Sequence, residues 1–255
     1  MALIINADDY GLSESSDNTT TMLHRMGIVS SATVVANGDG FKEAVNALHE
    51  YPHLDTGVHL CLDGPYNIGG NYSTITDSVT NQFFDLYQII HKLKRFLVNE
   101  SEIYREYCLQ IEKVMDHHIE VSHLDHHHHL HVYLPVLRSM IKAAKKYGIR
   151  YIRPQKMVFY ENRNYFKHIY RNIHHLYIKS KIQTIDGLYS PSIIDNYDYE
   201  FHFKRLSDLL KIKNKIIEIM LHPVDPANPE TVFFSSQRVS ALLASNTLMS
   251  YRDLK

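Results

Sequence analysis

The 255-residue sequence predicts an α/β fold, a TIM-like (β/α) barrel of seven parallel strands that need not close. Three observations carry that prediction. Seven short apolar runs alternate with longer stretches of helical periodicity, the pattern of parallel strands joined by crossover helices. Ionisable residues sit at the carboxyl ends of several runs, where parallel α/β folds carry their chemistry. No glycine loop able to cradle phosphates appears, since "NGDG" (37–40) lacks both the lysine and the spacing. All of residues 1–255 read as one domain.

The first strand, "LIIN" (3–6), runs into "NADDYG", which sets Asp8 and Asp9 side by side at a strand tip. A helix over 13–26 follows and ends at Gly27, as the glycine preference at helix ends predicts. "SATVVAN" (31–37), a helix over 41–50 and "TGVHLCL" (56–62) come next, the last with His59 among apolar residues. Residues 63–80, "DGPYNIGGNYSTITDSVT", form a long polar loop insertion, either a cover for substrate or an insertion without a role. Helices over 80–98 and 101–117 lead to "VSHLDH" (121–126). Pro135 opens a helix over 133–147, where its missing N–H costs nothing, and Gly148 closes it. "IRYIRP" (149–154) ends in Arg153. A helix over 160–180 carries Tyr160, Tyr165, Tyr170 and Tyr177 as half-buried surface. "QTIDGL" (183–188), a helix over 199–211 and "IIEIML" (216–221) complete the series, and His222 stands at the last strand end.

The stretch "SHLDHHHHLHVYLP" (122–135) holds six histidines and one aspartate. Its internal position excludes a leftover affinity tag. If it is extended, the period of two places His123, Asp125, His127, His129 and His131 on one face. Leu124, His126, His128 and Leu130 then take the other.

Composition narrows the function. Hydrophobic residues at 44% and charged residues at 22% describe a soluble globular protein. A net charge of −1 gives no electrostatic case for nucleic acid or an anionic membrane as partner. Cys61 and Cys108 have no metal-ligand spacing, "MALIINADDYG" has no leader character, and no apolar run approaches the roughly 20 residues that span a bilayer. The expected location is the cytoplasm, with reduced thiols.

Taken singly, His59 reads as a core histidine and Asp8 and Asp9 as turn caps. Together they say more. Two adjacent buried carboxylates repel and require a cation or a shared proton. A metal held by one carboxylate and two histidines meets that need and leaves the other carboxylate free to act as a base.

"NADDYGLS", "SATVVANG", "TGVHLCL", "HLDHHHHLH", "IRP" and "EIMLHP", with "SYRDL" near the C-terminus, resemble the YdjC-like carbohydrate deacetylases. That group includes the chitooligosaccharide deacetylases, and the resemblance covers nearly the whole chain. It implies a TIM-like barrel, one divalent ion usually given as magnesium, and a frequent homodimer. The implied reaction removes N-acetyl groups from acetylated amino sugars such as chitooligosaccharides. By motif position it implies Asp9, His59 and His127 as metal ligands, Asp8 as general base and His222 as general acid. Arg153 would orient Asp8 or bind substrate, and Glu218 would support the site without catalysing. The family's fourth motif reads H-[IL]-D-S-H-x-H-x-H, so His126 stands where serine is common and is expected to be structural. Ligand softness alone admits zinc, manganese or iron as readily as magnesium.

Two other classes compete. A non-haem iron oxygenase also uses two histidines and a carboxylate, and "HLD" (123–125) mimics its H-x-D start. Such enzymes usually have all-β folds, whereas this chain alternates strands with helices. A non-enzymatic metal-binding protein would account for 18 histidines. Many of them, such as His174 and His175, fall in helical stretches away from the strand ends.

Overall fold

A computed structural model describes residues 1–64, 67–159, 165–191, 198–244 and 246–254 of the chain, with the backbone alone at Tyr165. Its strands are β1 (Ala2–Tyr10), β2 (Ser31–Val34), β3 (Asp55–Leu60), β4 (His123–His126), β5 (Tyr151–Ile152), β6 (Gly187–Tyr189), β7 (Ile216–Leu221) and β8 (Thr247–Met249). The helices are α1 (Glu14–Arg25), α2 (Phe41–Glu50), α3 (Leu86–Lys94), α4 (Glu100–Met115), α5 (Leu134–Lys146), α6 (Tyr165–Lys181), α7 (Tyr199–Leu209), α8 (Pro229–Ser235) and α9 (Gln237–Ala244).

The strands form one parallel sheet in the order β5-β4-β3-β2-β1-β7-β6, with β8 added on β1. Isolated bridges, Tyr151 to Gln183 and Met157 to Leu188, link the two ends of the order. The predicted seven-stranded barrel is therefore curled and only loosely closed. Pro154 explains part of that looseness, because it has no amide to offer a ladder beyond β5.

Side-chain alternation divides the strands into an outer and an inner face. Leu3, Ile5 and Ala7 of β1 belong with Val58, Leu60, Leu124, Ile217 and Ile219 to the main apolar core. Asn6, Asp8, Thr33, His59, Asp125 and Glu218 take the alternate positions, point inward and are all buried. A smaller apolar cluster of Ile4, Tyr151, Ile185, Tyr251 and Leu254 packs on the same inner side. The inner space is thus charged toward one end of the strands and apolar toward the other.

Several boundaries depart from expectation. The helix over 80–98 begins only at Leu86, because Thr76 and Phe83 form an antiparallel bridge and Asp85 with Gln88 makes a capping box. Residues 149–154 and 183–188 give only the short β5 and β6. The elements α8, α9 and β8 were not expected. Positions 65–66 of the loop over 63–80, Tyr160 and the start of the helix over 160–180 lie outside the described residues, as does the side chain of Tyr165. Tyr170 is 45% exposed and its hydroxyl donates to the Val132 carbonyl. The rest of the 63–80 loop is fastened to α4: Glu106 accepts from the amides of Ile68 and Gly69 and from Tyr72, and Glu102 accepts from Ser73 and Thr74. No helix among the described residues is long and apolar enough to cross a membrane.

Candidate active site

Adjacent residues of a regular strand face opposite sides, so Asp8 and Asp9 could not both face the interior of a regular β1. A register shift between Ala7 and Tyr10, with Asp9 at φ 63°, resolves this. Aspartate tolerates that left-handed backbone better than most residues, and the bulge re-aims its carboxylate.

Asp9 Oδ1 lies 2.9 Å from His127 Nδ1 and 3.3 Å from His59 Nε2. One ligand atom from each of Asp9, His59 and His127 falls within a 4.8 Å cluster. His59 is fixed from behind, since its Nδ1 donates to Asp125 Oδ1 at 2.7 Å. That bond turns Nε2 toward Asp9, the arrangement in which a carboxylate orients a metal-ligating imidazole. Burial alone would lower the His59 pKa, but Asp125 and Asp9 raise it well above its ordinary value. Burial likewise favours the neutral acid at Asp9, yet hydrogen bonds to His127 and His59 hold it well below the usual carboxylate range. Asp9 thus stays ionised and favours positive charge beside it, and the donor set of the three groups fits a divalent ion.

Asp8 is gripped separately. Arg153 Nη1 donates to its Oδ2 at 2.6 Å, while Arg153 Nη2 and Asn6 Nδ2 donate to Oδ1 at 2.5 and 2.9 Å. Burial pushes Asp8 up, and the guanidinium more than reverses this, holding the carboxyl well below its ordinary range. The same guanidinium, itself fully buried, reaches Asp125 Oδ2 at 2.7 Å and Glu218 Oε1 at 2.8 Å. Tyr251 donates to the other oxygen of Glu218 at 2.5 Å. Thr33 closes the network by donating to Asp125 at 2.9 Å. His222 stands close enough to Asp8 for its charge to lower that carboxyl, and its backbone N–H donates to the buried Glu230 at 3.3 Å.

Asp8, Asp9, His59, His127 and Arg153 thus join one contact network, and His222, at the end of β7, stands near Asp8 without touching that network. Arg153 grips Asp8, and Glu218 touches Arg153 and Tyr251.

The single-face reading of the histidine run fails beyond His126. His123 and Asp125 do share the inner face. The backbone then leaves the strand for a 3₁₀ segment, His127–Val132, in which His128 (φ 50°) and His129 (φ 54°) are left-handed. His127 is thereby swung to Asp9, and His131 is buried with its ring 6.3 Å from that of His126. His126 lies on the other face. Its Nδ1 donates to the His127 carbonyl at 2.6 Å, so its Nε2 accepts from Tyr107 at 2.7 Å. "HLD" offers no ligand pair for an oxygenase triad, because His123 stacks on Tyr251 at 3.9 Å and Asp125 is engaged by His59, Arg153 and Thr33. Gly57 makes room for His123, since a Cβ there would meet its ring at 2.6 Å. The sequence had pointed to Asp125 as a face partner, and not as the group that orients His59. Asn6, Thr33, Asp63 and Glu230 carried no signal beyond their nearness to motifs.

A family model described as YdjC-like protein matches residues 2–253. A carbohydrate deacetylase of Halalkalibacterium halodurans is 30% identical over 226 residues, covering 88% of this chain and 85% of the relative. Among solved structures, an Enterococcus faecalis V583 protein described as a candidate for cellobiose-phosphate cleavage has a TM-score of 0.80 at 23% identity, covering 98% and 97% of the two chains. A family 4 acetyl xylan esterase of Clostridium thermocellum in complex with cobalt has a TM-score of 0.51 at 10% identity, covering 99% and 89%. Both structures share the fold.

Proposed function

The chain belongs to the YdjC-like protein family, and from that premise we propose that it is a metal-dependent deacetylase removing the N-acetyl group of an acetylated amino sugar. The name of its Halalkalibacterium relative supports the reaction class. The observation that carries the reading is the convergence of Asp9, His59 and His127 beside a second carboxylate, Asp8, which Arg153 grips. The family resemblance favours chitooligosaccharides as substrates, magnesium as the ion and a homodimer. One carboxylate and two imidazoles suit zinc equally well.

A divalent ion held by Asp9, His59 and His127 would polarise the acetyl carbonyl and acidify an attacking water. The residues supply the rest. Arg153 fixes the Asp8 plane and occupies one lone pair of Oδ2, leaving another to accept the proton of the attacking water. As the water oxygen bonds to the carbonyl carbon and the C–N bond breaks, His222 gives a proton to the departing nitrogen. Each transfer contributes roughly 10²–10⁴-fold. Acetate and a free amino sugar result. Asp125 keeps His59 in the tautomer that offers Nε2 to the ion.

Acetate release from N-acetylated sugars, measured with bound metal, tests this. Asp9→Asn is expected to lose metal and activity together. Asp8→Asn keeps metal and loses roughly 10²-fold or more in kcat. His222→Ala keeps metal and suffers most on amides, and far less on aryl acetates, whose leaving groups need no proton. Equal metal loss at Asp8 and Asp9, or no acetate from any N-acetyl sugar, would overturn the reading.

A further inference from the structure

Next to the proposed active site lies a second convergence, sharing His127 with it, whose other two members the proposed deacetylation does not use. Asp63, just beyond β3, has a side chain only 1% exposed. Its Oδ2 is 2.5 Å from His128 Nδ1, and its buried Oδ1 has no hydrogen-bond partner. A buried carboxylate oxygen without a partner is costly, and a cation is one of the few groups that satisfies it. Ligand atoms of Asp63, His127 and His128 lie within 4.8 Å of one another. The rings of His127 and His128 are 3.9 Å apart, and His128 is brought there by its left-handed backbone at φ 50°. A histidine in that conformation is uncommon, and such strain gathers at ligand sites.

We propose that Asp63 and His128, together with His127, form a second divalent-cation site that competes with the first for His127. One carboxylate and two imidazoles are the donor set of a zinc-type ion. A neutral imidazole ligates through one nitrogen and keeps its other nitrogen protonated, so His127 serves one ion at a time. Its Nδ1 already faces Asp9 at 2.9 Å. The second ion therefore binds more weakly, and when bound it draws His127 from the first site. The competition, unlike the site itself, rests on the reading of Asp9, His59 and His127 as ligands. Low zinc then activates, and excess zinc inhibits.

The test is a zinc titration of the metal-stripped protein, following bound zinc per chain by equilibrium dialysis and acetate release over the same range. Two steps are expected, the second weaker by about tenfold or more. Asp63→Asn and His128→Asn should each remove the second step and the inhibition, while the first step stays within about threefold of wild type. Asparagine tolerates the left-handed backbone at 128, so the turn is retained. Asp9→Asn should remove the first step and tighten the second, because His127 is released. No step in the wild type that Asp63→Asn and His128→Asn abolish, or a second step that survives in both variants, overturns the site. If the first step is missing and the step sensitive to Asp63 is present, the active-site reading fails and this one stands.

Discussion

Glu230 of α8 is 1% exposed, and its Oε2 has no hydrogen-bond partner. Burial raises its pKa, the His222 amide offsets only part of this, and nearby Asp8 adds to the rise, so the carboxyl titrates near about 8. The unfolded chain loses that proton near the ordinary glutamate value of about 4.3. Between those two pH values the folded state binds more protons, so this group takes stability away as pH rises and does so fully only above about 8. Glu230→Gln removes the penalty. Melting curves should show the variant gaining on wild type from pH 5 to pH 8, by an amount on the order of a few kcal/mol. A difference independent of pH would mean that Glu230 is ionised throughout. None of this was legible beforehand, because no helix was expected over 229–235 and nothing in "PETVFF" marks its glutamate as buried. Asp9 shows the reverse case: its neighbour and its strand-tip position marked it, although the positive φ that makes it useful left no trace in the sequence.

At the scale of elements, β4 and the turn after it set the site. Apolar neighbours made the strand readable, and alternation correctly separated Asp125 from His126. The period of two then broke at two consecutive left-handed histidines, which no propensity predicts for that residue. His126 bridges the two parts, tying Tyr107 of α4 to the His127 carbonyl. Its burial drives its pKa down to about 3, so it stays neutral near neutral pH. His126→Ala leaves a cavity and an orphaned Tyr107 hydroxyl, and should cost about 2–4 kcal/mol in denaturant unfolding. Most of the metal affinity should remain. The reverse pattern, metal lost at unchanged stability, would make His126 the ligand and displace His127.

For the whole molecule, the seven parallel strands were legible because all but the polar β4 are short runs rich in apolar residues, alternating with helical periodicity. The eighth was not, since "TLM" is three residues long and largely exposed, and only pairing with the first half of β1 makes it a strand. Closure of the barrel was equally unreadable, because single bridges between distant segments have no periodicity. The proposed ion ties these parts together, drawing one ligand each from β1, β3 and the turn after β4. At 100 times its dissociation constant, such an ion adds about 2.7 kcal/mol. Chelation should therefore lower Tm by roughly 5–10 °C for a chain of this size. Asp9→Asn should melt alike with and without chelator, and a chelator-insensitive wild type would speak against a resident ion.

Tyr251 holds Glu218, Glu218 holds Arg153, and Arg153 holds Asp8. That relay gives the order of synthesis a meaning. Every residue proposed for chemistry has been synthesised by position 222, yet the last support of Asp8 is made 29 residues later. A nascent chain paused before β8 would own all the reactive groups with one brace missing. Catalytic competence would then arrive late, and a chain clipped there would forfeit it without losing one reactive side chain.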